Sequence, residues 1–197
     1  MTYQGVRALQ RAGVRAADVI VRHADIRPAD LQPTKRKVMA LGKSKPLTRD
    51  EALVRMAGLC ARSEQCASDI ARKLRTKGLS SADIASVIDE LKERRFLDEA
   101  RYARSFARDK VRFSAWGRRK IRMHLLSRRI PEHLVVEAFE SVGEEDYAAA
   151  AARAARQKAA SLDLSLSDDR IRLYRHLLLR GFESDVARSE IRRLMTQ

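Results

Sequence analysis

The chain has 197 residues, with 41 Lys and Arg against 26 Asp and Glu, a formal charge of +15. Hydrophobic residues reach 45%, enough for a core, whereas aromatics are 5% and there are only eight glycines and four prolines. A chain so poor in strand formers and turn residues excludes a β-sandwich and predicts an all-α protein. No apolar run approaches the roughly 18 residues that span a bilayer, and Arg7, Arg11, Arg15, Asp18 and Arg22 interrupt any secretory leader. Cys60 and Cys66 are too few for a disulfide framework or a zinc site, so free thiols in a reducing cytoplasm are expected.

Residues 1–47 carry ten basic and three acidic side chains and are interrupted by Pro28, Pro33 and Pro46. They read as a largely flexible basic arm. Beyond them, apolar spacing and start signals predict nine helices in three groups. The first group is 49–61, 64–77 and 81–95, with Ser63 capping the second helix, Gly78 ending it, and Ser80 or Ser81 capping the third. The second is 99–112, 115–129 and 132–142, with Asp98 and Ser114 as N-caps and Pro131 in a first turn. The third is 145–160, 168–180 and 184–195, with Ser167 as a weaker cap and Gly181 ending its middle helix.

The middle helices share one pattern. Ile70 and Leu74 precede Lys77-Gly78-Leu79, Ile121 and Leu125 precede Arg128-Arg129-Ile130, and Leu173 and Leu177 precede Arg180-Gly181-Phe182. Ile84, Leu134 and Val186 then open the next helix in each case. This is an internal repeat of about 50 residues, each copy too small to bury a core alone. The predicted architecture is therefore three tandem three-helix units, at 48–97, 98–143 and 144–197, stacked into an elongated, curved body.

Charge is concentrated in the middle. From Lys110 to Pro131 the chain places Lys110, Arg112, Arg118, Arg119, Lys120, Arg122, Arg128 and Arg129 with no acid among them. A solvated helix face interleaves both signs, so this run predicts a one-signed field suited to a polyanion. With Ile121 at the centre of the buried face, Leu125, Gly117 and Arg128 fall within about 40° of it, and Arg118, Arg129 and Arg122 form a stripe at about 60° to 100°. That stripe suits successive phosphates or an acidic protein wall. Lys110, Arg112, Arg119 and Lys120 join it as candidate contact residues. The competing role is solubilising charge whose aliphatic stems cover apolar surface.

Phe96-Leu97-Asp98-Glu99-Ala100-Arg101-Tyr102-Ala103 with Phe106 resembles the central signature of the RecX regulators of bacterial recombination. Gly117, Ile121, Leu125 and Ile130 match that family's next helix, and Lys73-Leu74-Lys77-Gly78-Leu79 matches the flank. The resemblance covers 49–197. It departs at Arg129, where the family usually has glycine, which puts the geometry of that turn in question. The resemblance implies a non-enzymatic protein that binds the RecA recombinase filament on single-stranded DNA, lies along its groove, and usually inhibits it. No cofactor is expected, and the chain is expected to be a monomeric, cytoplasmic protein whose further partner is DNA, single-stranded before duplex.

Residue by residue, Asp98 reads as an N-cap. Tyr102, Ala103 and Phe106 read as core. Arg101 is either a partner of Asp98 or Glu99 or a contact residue. Trp116 reads as a packing anchor rather than a base-stacking platform. Gly117, read inside a helix, permits a close approach. The Ala-rich segment 148–160, with Arg153, Arg156 and Lys158, reads as a structural helix that docks the last unit. His23, His124, His133 and His176 are scattered and no nucleotide loop is present, so neither a catalytic nor a metal site is expected. Two rivals remain open: a helix-turn-helix DNA reader acting without recombinase, and an adaptor or RNA-binding repeat protein.

Overall fold

A computed structural model describes residues 47–196; the predicted basic arm, Leu47 apart, lies outside the described residues. Among these residues the protein is entirely α-helical. The helices are α1 (Arg49–Cys60), α2 (Ala67–Arg75), α3 (Ser81–Glu93), α4 (Glu99–Ser114), α5 (Arg118–Ser127), α6 (Glu132–Glu140), α7 (Glu144–Ala159), α8 (Ser167–Leu179) and α9 (Ser184–Met195). No helix among them is long and apolar enough to cross a membrane.

Local chemistry sets most of the starts. Thr48 and Glu51 form a reciprocal capping box on α1: the Thr48 hydroxyl accepts from Glu51 N–H, and the Glu51 carboxylate accepts from Thr48 N–H. Ser80 accepts from Asp83 N–H at the start of α3, and Asp98 accepts from Arg101 N–H at 2.9 Å at the start of α4. Four predicted cap or first-turn placements shift. Ser63 does not cap α2; Gln65 donates to the Ser63 hydroxyl and carbonyl, which holds 63–66 as a loop ending at Cys66. Ser114 completes α4 instead of capping α5, whose cap position is Gly117. Pro131 sits just before α6, and Ser167 is the first residue of α8, with Leu166 at the cap.

The three repeated turns have one geometry. Gly78, Arg129 and Gly181 have φ of 82°, 61° and 92°. The next residue's N–H then reaches back to the helix: Leu79 to Leu74 O (3.3 Å), Ile130 to Leu125 O (3.2 Å) and Phe182 to Leu177 O (3.1 Å). This is the six-to-one bond of a Schellman cap, and the apolar residue that follows packs on the helix it closes. Leu79, Ile130 and Phe182 are all buried, as are Leu74, Leu125 and Leu177. Arg129 adopts the left-handed conformation that the other two turns give to glycine, a strain of about 1–2 kcal/mol for a residue with a Cβ.

Two apolar clusters fill the interior. One lies among α1, α2 and α3 and contains Ala52, Ile70, Leu74, Ile84, Val87, Leu91 and Leu97. The other runs continuously from α4 to α9 and also takes in Cys66, which precedes α2. Ala150, Ala151, Ala154 and Ala155 of α7 are buried in it. Their lack of bulk lets α7 pack closely on α4, α8 and α9. Arg153 of α7 donates to the Val111 and Arg112 carbonyls at 3.1 and 2.7 Å, satisfying the open end of α4. The predicted docking role of this Ala-rich helix therefore has a specific contact behind it.

Candidate partner and nucleic-acid interface

The start of α4 is held from both sides. Beyond the Asp98 cap, Arg101 Nε donates to Glu64 Oε1 at 2.5 Å, and its Nη2 reaches the Arg95 and Phe96 carbonyls at 3.4 and 3.3 Å. Arg101 thus pairs with neither Asp98 nor Glu99 through its side chain. It ties the loop after α1 to the α3–α4 turn. Tyr102 and Ala103 are buried, and burial raises the Tyr102 hydroxyl pKa well above its ordinary value. Phe106 is not fully in the core: it is half-buried and packs on the core's edge.

There it meets an aromatic cluster. The His124 ring of α5 stacks on Phe106 at 4.8 Å and 7°, and Trp116 stands edge-on to both, at 6.3 and 5.6 Å. Cations surround the rings. Lys110 Nζ lies 5.3 Å from the Phe106 centroid and 5.2 Å from that of Trp116, while Lys120 Nζ is 4.5 Å from Trp116. The Arg128 guanidinium is 5.9 Å from Phe106. Burial, then Arg128 and Lys110, hold the His124 pKa below its ordinary value, so the ring is a neutral packing partner near pH 7. Trp116 anchors α4 against α5 through these contacts.

The connection between α4 and α5 is closed by the far end of the chain. Gly117 N–H donates to Arg180 O (2.8 Å), Arg119 N–H to Gly181 O (3.0 Å), and Arg118 N–H to the Tyr147 hydroxyl (3.1 Å). The Tyr147 hydroxyl in turn donates to Glu183 Oε2 at 2.6 Å. Gly117 is outside the helix interior where the sequence places it, so it carries no mid-helix penalty. Close approach is nevertheless its role. A Cβ there would stand 2.1 Å from Gly181 C and O and 2.2 Å from Phe182 N. Ile121 and Leu125 are fully buried behind this contact.

The predicted stripe does not survive as a continuous unpaired row. Arg128 and Arg129 lie beyond the end of α5, so helical angles do not place them. Acids just outside the acid-free run neutralise two of the others. Arg118 pairs with Glu144 at 2.5 Å while stacking 4.2 Å from the Tyr147 ring, and Arg122 pairs with Glu132 at 2.8 Å. Lys110 and Lys120 are partly buried against Trp116, and exposed Arg112 stacks on Phe113 at 5.6 Å. Arg119 and Arg129 are exposed and form no ion pair among the described residues.

Sequence reasoning missed the residues that organise the other side of α5. Asp69 of α2 holds Arg72 through Oδ1 at 2.8 Å and Arg128 through Oδ2 at 3.1 Å. Burial raises the Asp69 pKa, but hydrogen bonds from Arg72, Arg128 and Cys66 outweigh it and leave the carboxyl below its usual value. A groove of about 370 Å³ beside it is lined by Ser68, Arg72, Arg75, Glu99, Arg128 and Arg129 among others. The available signal was Arg129 itself, the one repeated turn without glycine. Among the described residues no group of His, Cys, Asp and Glu is placed to hold a metal.

A model of the second three-helix domain of RecX matches residues 98–138, which hold α4, the aromatic cluster and α5. The regulatory protein RecX of Prosthecochloris aestuarii is 32% identical over 146 residues, spanning 74% of this chain and 95% of that protein. The regulatory protein RecX of Clostridium botulinum strain Eklund 17B is also 32% identical, over 61% of this chain and 57% of that longer relative. The crystal structure of RecX from Lactobacillus salivarius superposes with a TM-score of 0.64 at 18% identity, covering 76% of this chain and 97% of that one, a likeness of fold. With the signature around Asp98 and the extent of the first match, this chain belongs to the RecX family of regulatory proteins.

Proposed function

We infer that this protein binds the RecA recombinase filament and inhibits its ATPase, strand-exchange and co-protease activities. The observation that carries this reading is its kinship with a regulatory protein RecX along 95% of that relative's length. The surface chemistry supports it. Arg112, Arg119 and Arg129 face solvent, and Lys110 and Lys120 border the Trp116 cluster. Such a surface suits acidic filament walls or DNA phosphates. The mechanism is occlusion. Tandem three-helix units bridge neighbouring protomers and exclude the second DNA strand and co-protease substrates. The protein acts as a monomer.

The helix-turn-helix reading fares worse for a specific reason. A recognition helix offers its N-terminal residues to base edges in the major groove. At the start of α5 the N–H groups of Gly117, Arg118 and Arg119 are already bonded to Arg180 O, the Tyr147 hydroxyl and Gly181 O, and the α8–α9 turn packs against that end.

The test is ATP hydrolysis by the cognate RecA on single-stranded DNA, titrated with this protein. Inhibition well below one molecule per recombinase protomer is expected, weakened by Arg112→Glu with Arg119→Glu. Unchanged hydrolysis at saturating protein would overturn the reading.

A further inference from the structure

An open groove of about 590 Å³ runs between α8 and α9. Ser167, Arg170, Ile171 and Tyr174 line it from α8 at i, i+3, i+4 and i+7, and Arg188, Ile191 and Arg192 line it from α9 at i, i+3 and i+4. Each set is one helix face, so the groove is built by two helices rather than by loops. Its floor is mainly apolar and no acid lines it. Ile171 is 46% exposed there. The internal repeat shows what is unusual about this face. Ile171 and Tyr174 flank the buried Leu173, where the second group has Arg119 and Arg122 around Ile121 and the first has Ser68 and Ala71 around Ile70. Only the third group places two large, largely apolar side chains at these positions.

Arginines border that floor. Arg170 is held by the loop before α8, donating from Nη1 to the Leu164 and Ser165 carbonyls at 2.9 and 2.7 Å. Arg188 and Arg192 are exposed, lie one turn apart on α9, and form no ion pair among the described residues. Two nearby carboxylates are engaged elsewhere: Asp169 holds Arg172 and Glu190 holds Arg193, each at 2.8 Å. Like charges at i and i+4 repel, so Arg188 and Arg192 burden α9 until an outside acid meets them. A groove of this kind takes the anchors of an amphipathic helix, and its arginine border selects acids beside those anchors. The rest of the chain does not supply such a segment: residues 1–47 carry ten basic side chains against three acidic, and the arginines repel them. A second copy docked by the same face sets arginine against arginine. A nucleic-acid backbone answers the arginines but leaves the aliphatic floor in water, and a small molecule is left mostly uncovered by so open a groove.

We propose that the α8–α9 groove is a docking site for an acidic amphipathic helix of a protein partner, with the partner's apolar anchors on Ile171, Tyr174 and Ile191 and its carboxylates on Arg188 and Arg192. The groove shares no residue with the basic surface around Trp116, and the assignment does not depend on recombinase binding.

The test uses the full chain without RecA or nucleic acid. It is panned against a phage-displayed library of random peptides about 16 residues long, roughly four helical turns. The enriched peptides, labelled with fluorescein, are then titrated by anisotropy against the wild type, Arg188→Glu with Arg192→Glu, Ile171→Gln, and the α8 control Arg175→Glu. All four residues are exposed, so each variant is expected to keep the wild-type melting temperature. Enriched peptides are expected to carry acids beside bulky apolar residues at helical spacing. The charge reversal and Ile171→Gln should each weaken binding about tenfold or more, and the control less than about twofold. An unlabelled single-stranded oligonucleotide should compete poorly. No enrichment, enriched peptides without an apolar anchor, wild-type affinity in either groove variant, or an equal loss in the control would each overturn the proposal. So would displacement by the oligonucleotide as effective as by unlabelled peptide, or self-association in light scattering that Ile171→Gln abolishes, which would assign the groove to a second copy.

Discussion

Replacing Gly117 by alanine isolates the contact that joins α5 to the far end of the chain. The Gly117 φ is −79°, which alanine adopts freely, so backbone strain contributes nothing. Glycine is preferred to alanine at a helix N-cap, which adds a cost of about 0.5–1 kcal/mol. What remains is collision: the new methyl would stand 2.1 Å from the carbonyl carbon and oxygen of Gly181. The α8–α9 turn must retreat. Retreat breaks the bonds from Gly117 N–H to Arg180 O and from Arg119 N–H to Gly181 O, about 1 kcal/mol each. It also uncovers part of Phe182, which is fully buried, for about 1 kcal/mol more. The expected loss is about 3.5–4 kcal/mol, a large share of a total near 5–15 kcal/mol. In thermal denaturation by circular dichroism that is a fall of about 7–16 °C. Urea denaturation followed by Trp116 fluorescence reads the same loss beside the altered residue. A change below about 1 kcal/mol in both would refute the view that this approach carries the join.

Gly78 and Gly181 share a positive φ, but only Gly181 is also crowded, with Lys120 Cβ and N 2.4 and 2.5 Å from an added Cβ. Gly78→Ala should cost about 1–2 kcal/mol and Gly181→Ala clearly more, measured by urea denaturation; equal losses would contradict the crowding argument. Arg129→Gly should stabilise the fold by about 1 kcal/mol in the same assay. Asp98→Ala should cost about 1 kcal/mol through the lost Arg101 N–H bond, with helical content nearly unchanged in circular dichroism. His124 and His176 are both held below the ordinary histidine value of 6.5 by burial first and nearby cations second. The unfolded chain therefore takes up protons first, and stability falls as pH drops below 6.5. His124→Gln should make that decline shallower in melts between pH 7.5 and 5, and an unchanged decline would remove His124 from the account.

Helix placement was legible because apolar spacing and short-range caps are local. Asp98 and Ser80 cap as their sequence neighbours predict, and Ile70, Leu74, Ile121, Leu125, Leu173 and Leu177 are all fully buried. The misplaced start of α5 has a different cause. Its first N–H groups, of Arg118 and Arg119, are satisfied by the Tyr147 hydroxyl and the Gly181 carbonyl from far along the chain, which no nearby residue announces. The same distance hid the neutralisation of the stripe. The run from Lys110 to Pro131 contains no acid, yet Glu132 follows it directly and Glu144 arrives on α7. Single-sign charge along a sequence becomes single-sign charge on a surface only when the flanking helices bring no acids to it. Asp69 gave no signal beyond a first-turn acid on α2, because its two arginine partners meet only in the folded chain.

The central claim is association with the recombinase filament, and it is tested most directly by sedimenting RecA filaments assembled on single-stranded DNA in the presence of this protein. Bare DNA and DNA-free RecA serve as parallel samples at matched salt. The account predicts saturable co-sedimentation with the filament at concentrations where neither component alone retains the protein, weakened by Arg112→Glu with Arg119→Glu. Retention no greater than on bare DNA would contradict it.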